Sequence, residues 1–198
     1  MTAPLATDPR PVYADAVAWV ADLLHHVDPS RHADPTPCDE LDVAALGGHL
    51  LGTANRAIAI AEGRDVLAVP AFGLPFDPEA YAAATSTAIA RWADDALLDA
   101  MVAVPWGTVP GRGALWGYVN ETLVHGWDLA VATGQPSEAP AGLAEATLPV
   151  ARMFIGADIR DEAPFAAVVE PRSGAGPTER LANWSGRTST PWLAPARI

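Results

Sequence analysis

The sequence predicts an all-α protein. Alanine-rich segments broken by proline and glycine dominate the chain, and almost no stretch before the C-terminal part alternates with the period of two that a half-buried strand requires. The 198 residues are half apolar, so they can bury a substantial core. This length suggests one domain, or one domain with an appendage. A bundle of helices is the simplest arrangement for such a pattern.

Five segments carry apolar residues at helical spacing: residues 13–27, 43–62, 78–98, 114–132 and 139–159. Asp42 is well placed to cap the second of them, and Gly63 is well placed to end it. Pro78 suits the first position of the third. Gly134, followed by Pro136, predicts the end of the fourth. The main connections are expected at residues 29–40, 72–78 and 105–113.

The C-terminal part has a different character. Residues 165–169 are the only credible strand, and the chain from residue 170 onward is expected to fold back on the bundle. We therefore predict a helical bundle over residues 1–137. A C-terminal helix and appendage, residues 138–198, are expected to pack on it, so that the two parts form one structural unit.

The charge of the chain excludes some partners. Twelve basic against 24 acidic residues give a formal net charge of −12, which repels phosphate backbones and anionic membrane surfaces, so neither nucleic acid nor a membrane is an expected partner. Cys38 is the single cysteine, so no internal disulfide can form. The sequence shows neither a signal peptide nor an apolar run of membrane-spanning length. A cytoplasmic location is the resulting expectation.

Glu121 and His125 are four residues apart on the fourth predicted helix, so their side chains lie one turn apart on the same face. The neighbouring residues are apolar around most of the helix, which is typical of a buried helix. Buried ionisable groups are normally paired, hydrogen-bonded or bound to metal. A metal site is therefore one interpretation, although an ordinary helical pair remains the alternative because a zinc site needs three or four ligands.

His49 is the strongest candidate for a third ligand. It lies in the middle of the second helix among leucines, with glycines at positions 47, 48 and 52 that favour close packing or access to the site. Its stripe is at the edge of the apolar arc, so a histidine at the boundary of the core is the alternative. His25 and His26 point about 100° apart at a helix end and are expected in solvent, as is His32 in its charged loop.

Few other residues offer chemistry. Asp128, three residues after His125, falls on the same side and is a candidate catalytic residue or a carboxylate that orients an imidazole. Arg56, the only cation predicted near the site, is the second catalytic candidate. Cys38 follows a proline, has no histidine close in sequence, and is interpreted as a small apolar residue.

Two segments resemble a known family. Residues 36–52 (TPCDELDVAALGGHLLG) and 121–135 (ETLVHGWDLAVATGQ) are similar to the mycothiol-dependent maleylpyruvate isomerase family of actinobacteria. Residues 179–187 (ERLANWSGR) are similar to the end of its metal-binding subfamily. The resemblance implies a DinB/YfiT-like four-helix bundle with a long crossover. It also implies a divalent metal held by the second and fourth helices, with ligands that fall here on His49, Glu121 and His125.

The resemblance also implies chemistry. A site with two histidines and one carboxylate leaves a coordination position open, so we expect a transferase or isomerase that uses mycothiol, a low-molecular-weight thiol, with a small electrophile. Zinc is the first expectation for the metal and nickel the second. The alternative is a non-catalytic, metal-stabilised bundle with a small-ligand-binding or regulatory role. A homodimer is one of the open alternatives for the oligomeric state.

Overall fold

The computed structural model describes residues 7–156, 160 and 166–193. These residues form eight α-helices: α1 (Arg10–His25), α2 (Val43–Ala61), α3 (Pro78–Arg91), α4 (Asp95–Asp99), α5 (Gly111–Thr133), α6 (Leu143–Phe154), α7 (Pro177–Trp184) and α8 (Thr190–Leu193). Two short antiparallel strands, β1 (Met101–Val104) and β2 (Gly107–Pro110), form a hairpin between α4 and α5. The predicted all-α class is therefore confirmed in its main feature, with a small sheet added.

The four longest helices pack in a closed ring. Helix α5 contacts α1 and α2, and α3 contacts the other sides of α1 and α2. The interior of this ring is built from fully buried aliphatic and aromatic side chains, among them Val20, Leu24, Leu46, Leu50, Tyr81, Leu115 and Leu123. Because α2 and α5 are adjacent in this ring, their side chains can meet inside it.

Helix α5 is buried along most of its length, as its sequence predicted. Seventeen of its 23 residues are buried, because α1, α2, α6 and α7 all pack against it. At Gly126 a Cβ atom would lie within 2.8 Å of Val20, so the glycine lets α1 approach closely. The helix ends at Gly134, which adopts the predicted left-handed conformation with φ 72°.

The predicted boundaries are confirmed for α2, for the start of α3 at Pro78 and for the end of α5 at Gly134, and other helix ends need correction. The Asp42 carboxylate accepts a hydrogen bond from the amide of Ala45 (2.8 Å), and Gly63 follows the helix at φ 67°. Helix α1 spans Arg10–His25, so it begins and ends earlier than the predicted residues 13–27. Helix α6 begins only after Gly142, whose φ is 93°. It ends at Phe154, so the predicted helix over residues 139–159 was too long; its last three residues lie outside the described part.

The third predicted helix ends early, and a hairpin occupies the predicted turn. Buried Trp92 donates a hydrogen bond through Nε1 to the Ala57 carbonyl oxygen (3.0 Å), which fixes the chain at the end of α3. Asp94 then caps a new helix, α4, through the amide of Ala96. The strand predicted at residues 165–169 is wrong for residues 166–169, which form none, and Phe165 lies outside the described part.

The C-terminal segment is attached to α5 through α6 and α7, which pack against each other and against α5. The Glu138 carboxylate accepts hydrogen bonds from the amides of Thr178 (2.9 Å) and Glu179 (3.2 Å) at the start of α7. A negative group is favourable at a helix N-terminus. The division of the chain at residue 137 stays a prediction. Among the described residues, no helix combines the length and apolarity needed to cross a membrane.

The glycines of α2 serve close packing. A Cβ atom on Gly48 would collide with the carbonyl oxygen of Leu74, and one on Gly52 would lie 2.7 Å from the carbonyl oxygen of Ala71. Residues 70–76, the α2–α3 loop, therefore lie directly on the backbone of α2. This contact places the Ala71 carbonyl next to His49.

We expect Gly48→Ala to lower the free energy of unfolding by about 1 to 3 kcal/mol, because the added methyl group forces the α2–α3 loop off the helix. Gly113→Ala is the matched control, since its Cβ would meet its nearest neighbour only at 3.9 Å. That variant should gain up to about 1 kcal/mol from helix propensity. Urea denaturation of both variants tests the contact, and equal stability for the two would contradict it.

Candidate metal centre

Three side chains from two helices meet in the interior of the ring. His49 comes from α2, and Glu121 and His125 come from α5, where they lie one turn apart. Their potential ligand atoms all lie within 4.8 Å of one another. The Oε1 atom of Glu121 is 3.1 Å from Nε2 of His49 and 3.6 Å from Nε2 of His125. These residues are the three predicted ligands, and the structure places them together as a group that could hold a metal ion.

Hydrogen bonds fix the orientation of both imidazole rings. Nδ1 of His49 lies 2.9 Å from the carbonyl oxygen of Ala71, which can only accept, so Nδ1 carries the proton. Nδ1 of His125 lies 3.0 Å from Oδ2 of Asp128 and donates to this carboxylate. Both Nε2 atoms therefore face Glu121. A carboxylate or carbonyl behind each imidazole is the usual arrangement around histidines that bind metal.

The group is open on one side. His49 and His125 are 6% and 7% exposed, whereas the side chain of Glu121 is 34% exposed. Phe72 lies over the His49 ring, with the two ring centroids 4.7 Å apart and the planes nearly parallel. Glu121 is thus the member of the group that faces solvent.

The charges of the group reinforce one another. Burial opposes the ionisation of Glu121, but the hydrogen bonds and charges of His125 and His49 outweigh it and hold the pKa of Glu121 well below its usual value. Burial likewise opposes the protonation of His125. Its hydrogen bonds to Asp128 and Glu121 outweigh that effect and raise its pKa to about 9. Without a metal, the imidazole of His125 is therefore protonated at neutral pH and supplies the positive charge of the group.

Asp128 connects the group to the C-terminal segment. It is fully buried, and both of its oxygens lie 3.0 Å from Nε of Arg187, which follows α7. The side-chain amide of Asn183 donates to the carbonyl oxygen of Arg187 and holds this residue in place (2.8 Å). The predicted role of Asp128 as a carboxylate that orients an imidazole thus agrees with its position.

The expectation that Arg56 is the only cation near the site was wrong. Arg187 forms the ion pair with Asp128, while Nε of Arg56 donates to the carbonyl oxygen of Val69 (2.9 Å), just before the α2–α3 loop. Arg187 is 59 residues from Asp128 in sequence, and no local spacing connects the two. The only signal for it was its place in the C-terminal segment that carried the family resemblance.

Cys38, which the sequence pattern indicated to be a small apolar residue, lies close to two residues of the site. Its thiol forms a second group with His125 and Asp128, whose potential ligand atoms lie within 4.8 Å of one another. Burial is the main cause that raises the pKa of this thiol. The oxygens of Asp128 already accept hydrogen bonds from Arg187 and from Nδ1 of His125. The group of His49, Glu121 and His125 is therefore the better candidate site for a divalent cation.

The remaining histidines belong to neither group. His25 and His26 are exposed, as predicted. His32 was expected to be exposed but is half-buried, because its ring packs against Phe76 with the centroids 4.5 Å apart.

Comparison with known proteins finds two mycobacterial relatives. The chain is 31% identical over 186 residues to the uncharacterized protein Rv0738 of Mycobacterium tuberculosis strain ATCC 25618 / H37Rv, and the alignment covers 91% of this chain and 98% of that protein. The chain belongs to the family of this protein. The uncharacterized protein MT0763 of strain CDC 1551 / Oshkosh gives the same figures. No sequence model of a protein family and no solved structure matches the chain.

The raised pKa of His125 predicts a pH dependence for the binding of a divalent ion to this group in this member of the Rv0738 family. A ligand imidazole must be neutral, so a bound ion would displace the Nε2 proton of His125, and the affinity should rise about tenfold per pH unit up to pH 9. The interval from pH 7 to 8 is decisive, because an imidazole with the ordinary pKa of about 6.5 is already neutral there. Competition with a chromophoric chelator measures the affinity. A constant affinity above pH 7 would contradict the assignment.

Proposed function

We propose that the protein is a metal-dependent transferase or isomerase that uses mycothiol or another low-molecular-weight thiol with a small electrophile. The observation that carries the proposal is the group of His49, Glu121 and His125, in which three donors converge and only the carboxylate side is exposed. Catalytic zinc sites keep an open coordination position beside three protein ligands, whereas structural sites are closed.

Two further features support the proposal. The ligands come from α2 and α5, the second and fourth long helices of the ring, as in the DinB/YfiT-like bundles that the sequence resembles. The ligand set carries one negative charge, because the charge of Asp128 is balanced by Arg187. A divalent ion in this set would keep a net positive charge and lower the pKa of a thiol that binds to it.

Each residue of the site has a separate role in the proposed function. His49 and His125 supply nitrogen donors and Glu121 an oxygen donor, while Ala71 and Asp128 hold the two rings through their Nδ1 protons. Zinc is the first choice for a set of two imidazoles and one carboxylate, and nickel is the second. Asp128 itself is an unsuitable general base, because Arg187 and His125 already use both of its oxygens.

The hydrogen bonds that Asp128 accepts from Arg187 and His125 also favour a second candidate function. With this carboxylate engaged, a general acid or base beyond the ligands is hard to identify among the described residues. A metal-stabilised bundle that binds a small ligand without turnover is therefore the alternative.

Cobalt substitution tests the proposal. Mycothiol titrated into the cobalt-loaded protein should change its visible and near-ultraviolet absorption. A free thiol has a pKa of about 8.5, so only a few per cent is ionised at pH 7 and its activation is useful. The metal-free protein is the control and should show no change. Consumption of mycothiol with a panel of electrophiles then separates the enzyme from the binder. An unchanged cobalt spectrum at saturating thiol would leave the binder as the better account.

A further inference from the structure

Arg56 is a cation beside the candidate metal centre that no carboxylate of the described residues neutralises. It lies on α2 seven residues after His49, so the two side chains leave nearly the same face of the helix. Its Nε atom donates to the carbonyl oxygen of Val69, which fixes the guanidinium, while its two terminal nitrogens make no hydrogen bond to a described residue. The two carboxylates of the site face its imidazoles and Arg187. The terminal nitrogens of this half-buried guanidinium are therefore left for a ligand.

Tyr118 brings an unpartnered hydroxyl to the same place. It lies about one turn before Glu121 on α5 and is only 4% exposed. Its hydroxyl makes no hydrogen bond to a described residue, yet it is not among the unpartnered polar atoms that are fully enclosed, so it borders accessible space. Buried polar groups normally have a partner. Burial and the charge of Glu121 raise the pKa of Tyr118, and Arg56 lowers it less, so the phenol stays protonated and can donate.

The guanidinium and the phenol point towards each other because α2 and α5 run in opposite directions. Cys38 precedes α2 and lies near Asp128, whereas His49, further along the chain, contacts Glu121, which is nearer the start of α5. Side chains on a helix tilt towards its N-terminus. The guanidinium therefore reaches back towards the metal centre, and the phenol reaches towards the guanidinium. Both donors face the space beside the candidate metal centre.

We infer that the guanidinium of Arg56 and the hydroxyl of Tyr118 bind the carboxylate of a small-molecule ligand. If the proposed function holds, this ligand is the electrophile, and the inference rests on that function only for this assignment. The planar guanidinium matches the two oxygens of a carboxylate, and hydrogen bonds to ionised groups are the strong ones. A single cation balances one negative charge, whereas the nearby Glu121 carboxylate repels a doubly charged anion such as phosphate.

Acetate binding to the metal-free protein tests the inference without turnover. Saturation-transfer NMR at pH 7 measures the affinity. Arg56→Met should weaken acetate binding about tenfold or more, and Tyr118→Phe up to about tenfold, because each variant loses a charge-assisted hydrogen bond. Two matched controls should bind acetate as the native protein does. Arg152→Met removes an exposed arginine on α6, and Tyr81→Phe removes a buried phenol hydroxyl on α3.

Arg56→Lys separates a binding role from a structural one. This variant loses the Nε donor to Val69 but keeps the positive charge, so it should weaken acetate binding less than Arg56→Met does. An equal loss in both variants, unchanged binding in Arg56→Met, or no acetate binding by the native protein would overturn the inference. Phosphate bound more tightly than acetate by the same two residues would overturn the choice of a carboxylate.

Turnover distinguishes failure of the inference from failure of the proposed function. Iodoacetate and iodoacetamide both alkylate a thiolate, whose sulfur forms the new bond to carbon while iodide leaves with the electron pair, but only iodoacetate carries a carboxylate. With mycothiol and metal present, Arg56→Met should lower kcat/KM for iodoacetate about tenfold relative to iodoacetamide. Acetate binding that depends on Arg56 without any thiol consumption would overturn the proposed function and keep the inference. Thiol consumption with equal effects on both reagents would overturn the inference and keep the function.

Discussion

His49→Ala is expected to lose stoichiometric metal. The variant keeps only Glu121 and His125, and two protein ligands fall short of the three that a catalytic zinc site uses. Removal of a residue that merely orients a ligand already costs about 10- to 100-fold in affinity, so loss of a ligand should cost more. Elemental analysis after dialysis against a weak chelator measures the retained zinc. The helical circular dichroism should be unchanged, because the core of the ring does not depend on this side chain.

Cys38→Ser is the informative control for that experiment. Cys38 belongs to the second group, which shares His125 with the first. If the ion binds as proposed, Cys38→Ser keeps one equivalent of zinc while His49→Ala loses it. The reverse pattern would place the ion between Cys38, His125 and Asp128 and would overturn the assignment of His49.

Asp128→Ala is expected to be the most destabilising single substitution near the site. It leaves the Arg187 guanidinium, whose side chain is only 16% exposed, without its carboxylate, and it removes the acceptor of the His125 Nδ1 proton. Breaking a buried ion pair from one side typically costs about 3 to 5 kcal/mol, because the remaining charge stays buried. Urea denaturation of the metal-free protein measures the loss.

Two further variants make this prediction specific. The double variant Asp128→Ala with Arg187→Met removes both charges and should recover part of the lost stability, since replacement of a buried pair by apolar groups is often neutral. Asp22→Ala removes an exposed carboxylate that faces His26 and should have no measurable effect. A single Asp128→Ala variant as stable as the native protein would show that Arg187 finds another partner or reaches water.

Local signals in the sequence predicted much of the fold. The Asp42 cap, the left-handed Gly134 and the apolar periodicity of α2 and α5 all act within a few residues, and the structure has them where the sequence placed them. The proximity of Glu121 and His125 follows from helix geometry alone. His49 needed the family resemblance, because the contact between α2 and α5 joins residues 72 positions apart in the sequence.

The features that the sequence did not predict depend on distant contacts. Helix α3 ends where it does because the Trp92 indole bonds to a carbonyl of α2. The Arg187–Asp128 pair joins α5 to a segment after α7. Cys38 is close to His125 only because the loop before α2 returns to α5. None of these contacts leaves a periodic pattern, so a reading of local spacing does not reveal them.

The pairing of Asp128 with Arg187 sets a limit on protein engineering. A designer who transplanted α2 and α5 into another helical scaffold would carry over His49, Glu121 and His125, yet would leave behind the residue that neutralises Asp128. In the new host this buried carboxylate would lack the guanidinium that holds both of its oxygens, and the imidazole of His125 would lose its fixed orientation. The smallest portable unit of the site therefore runs from the loop before α2 to Arg187, which is nearly the whole chain.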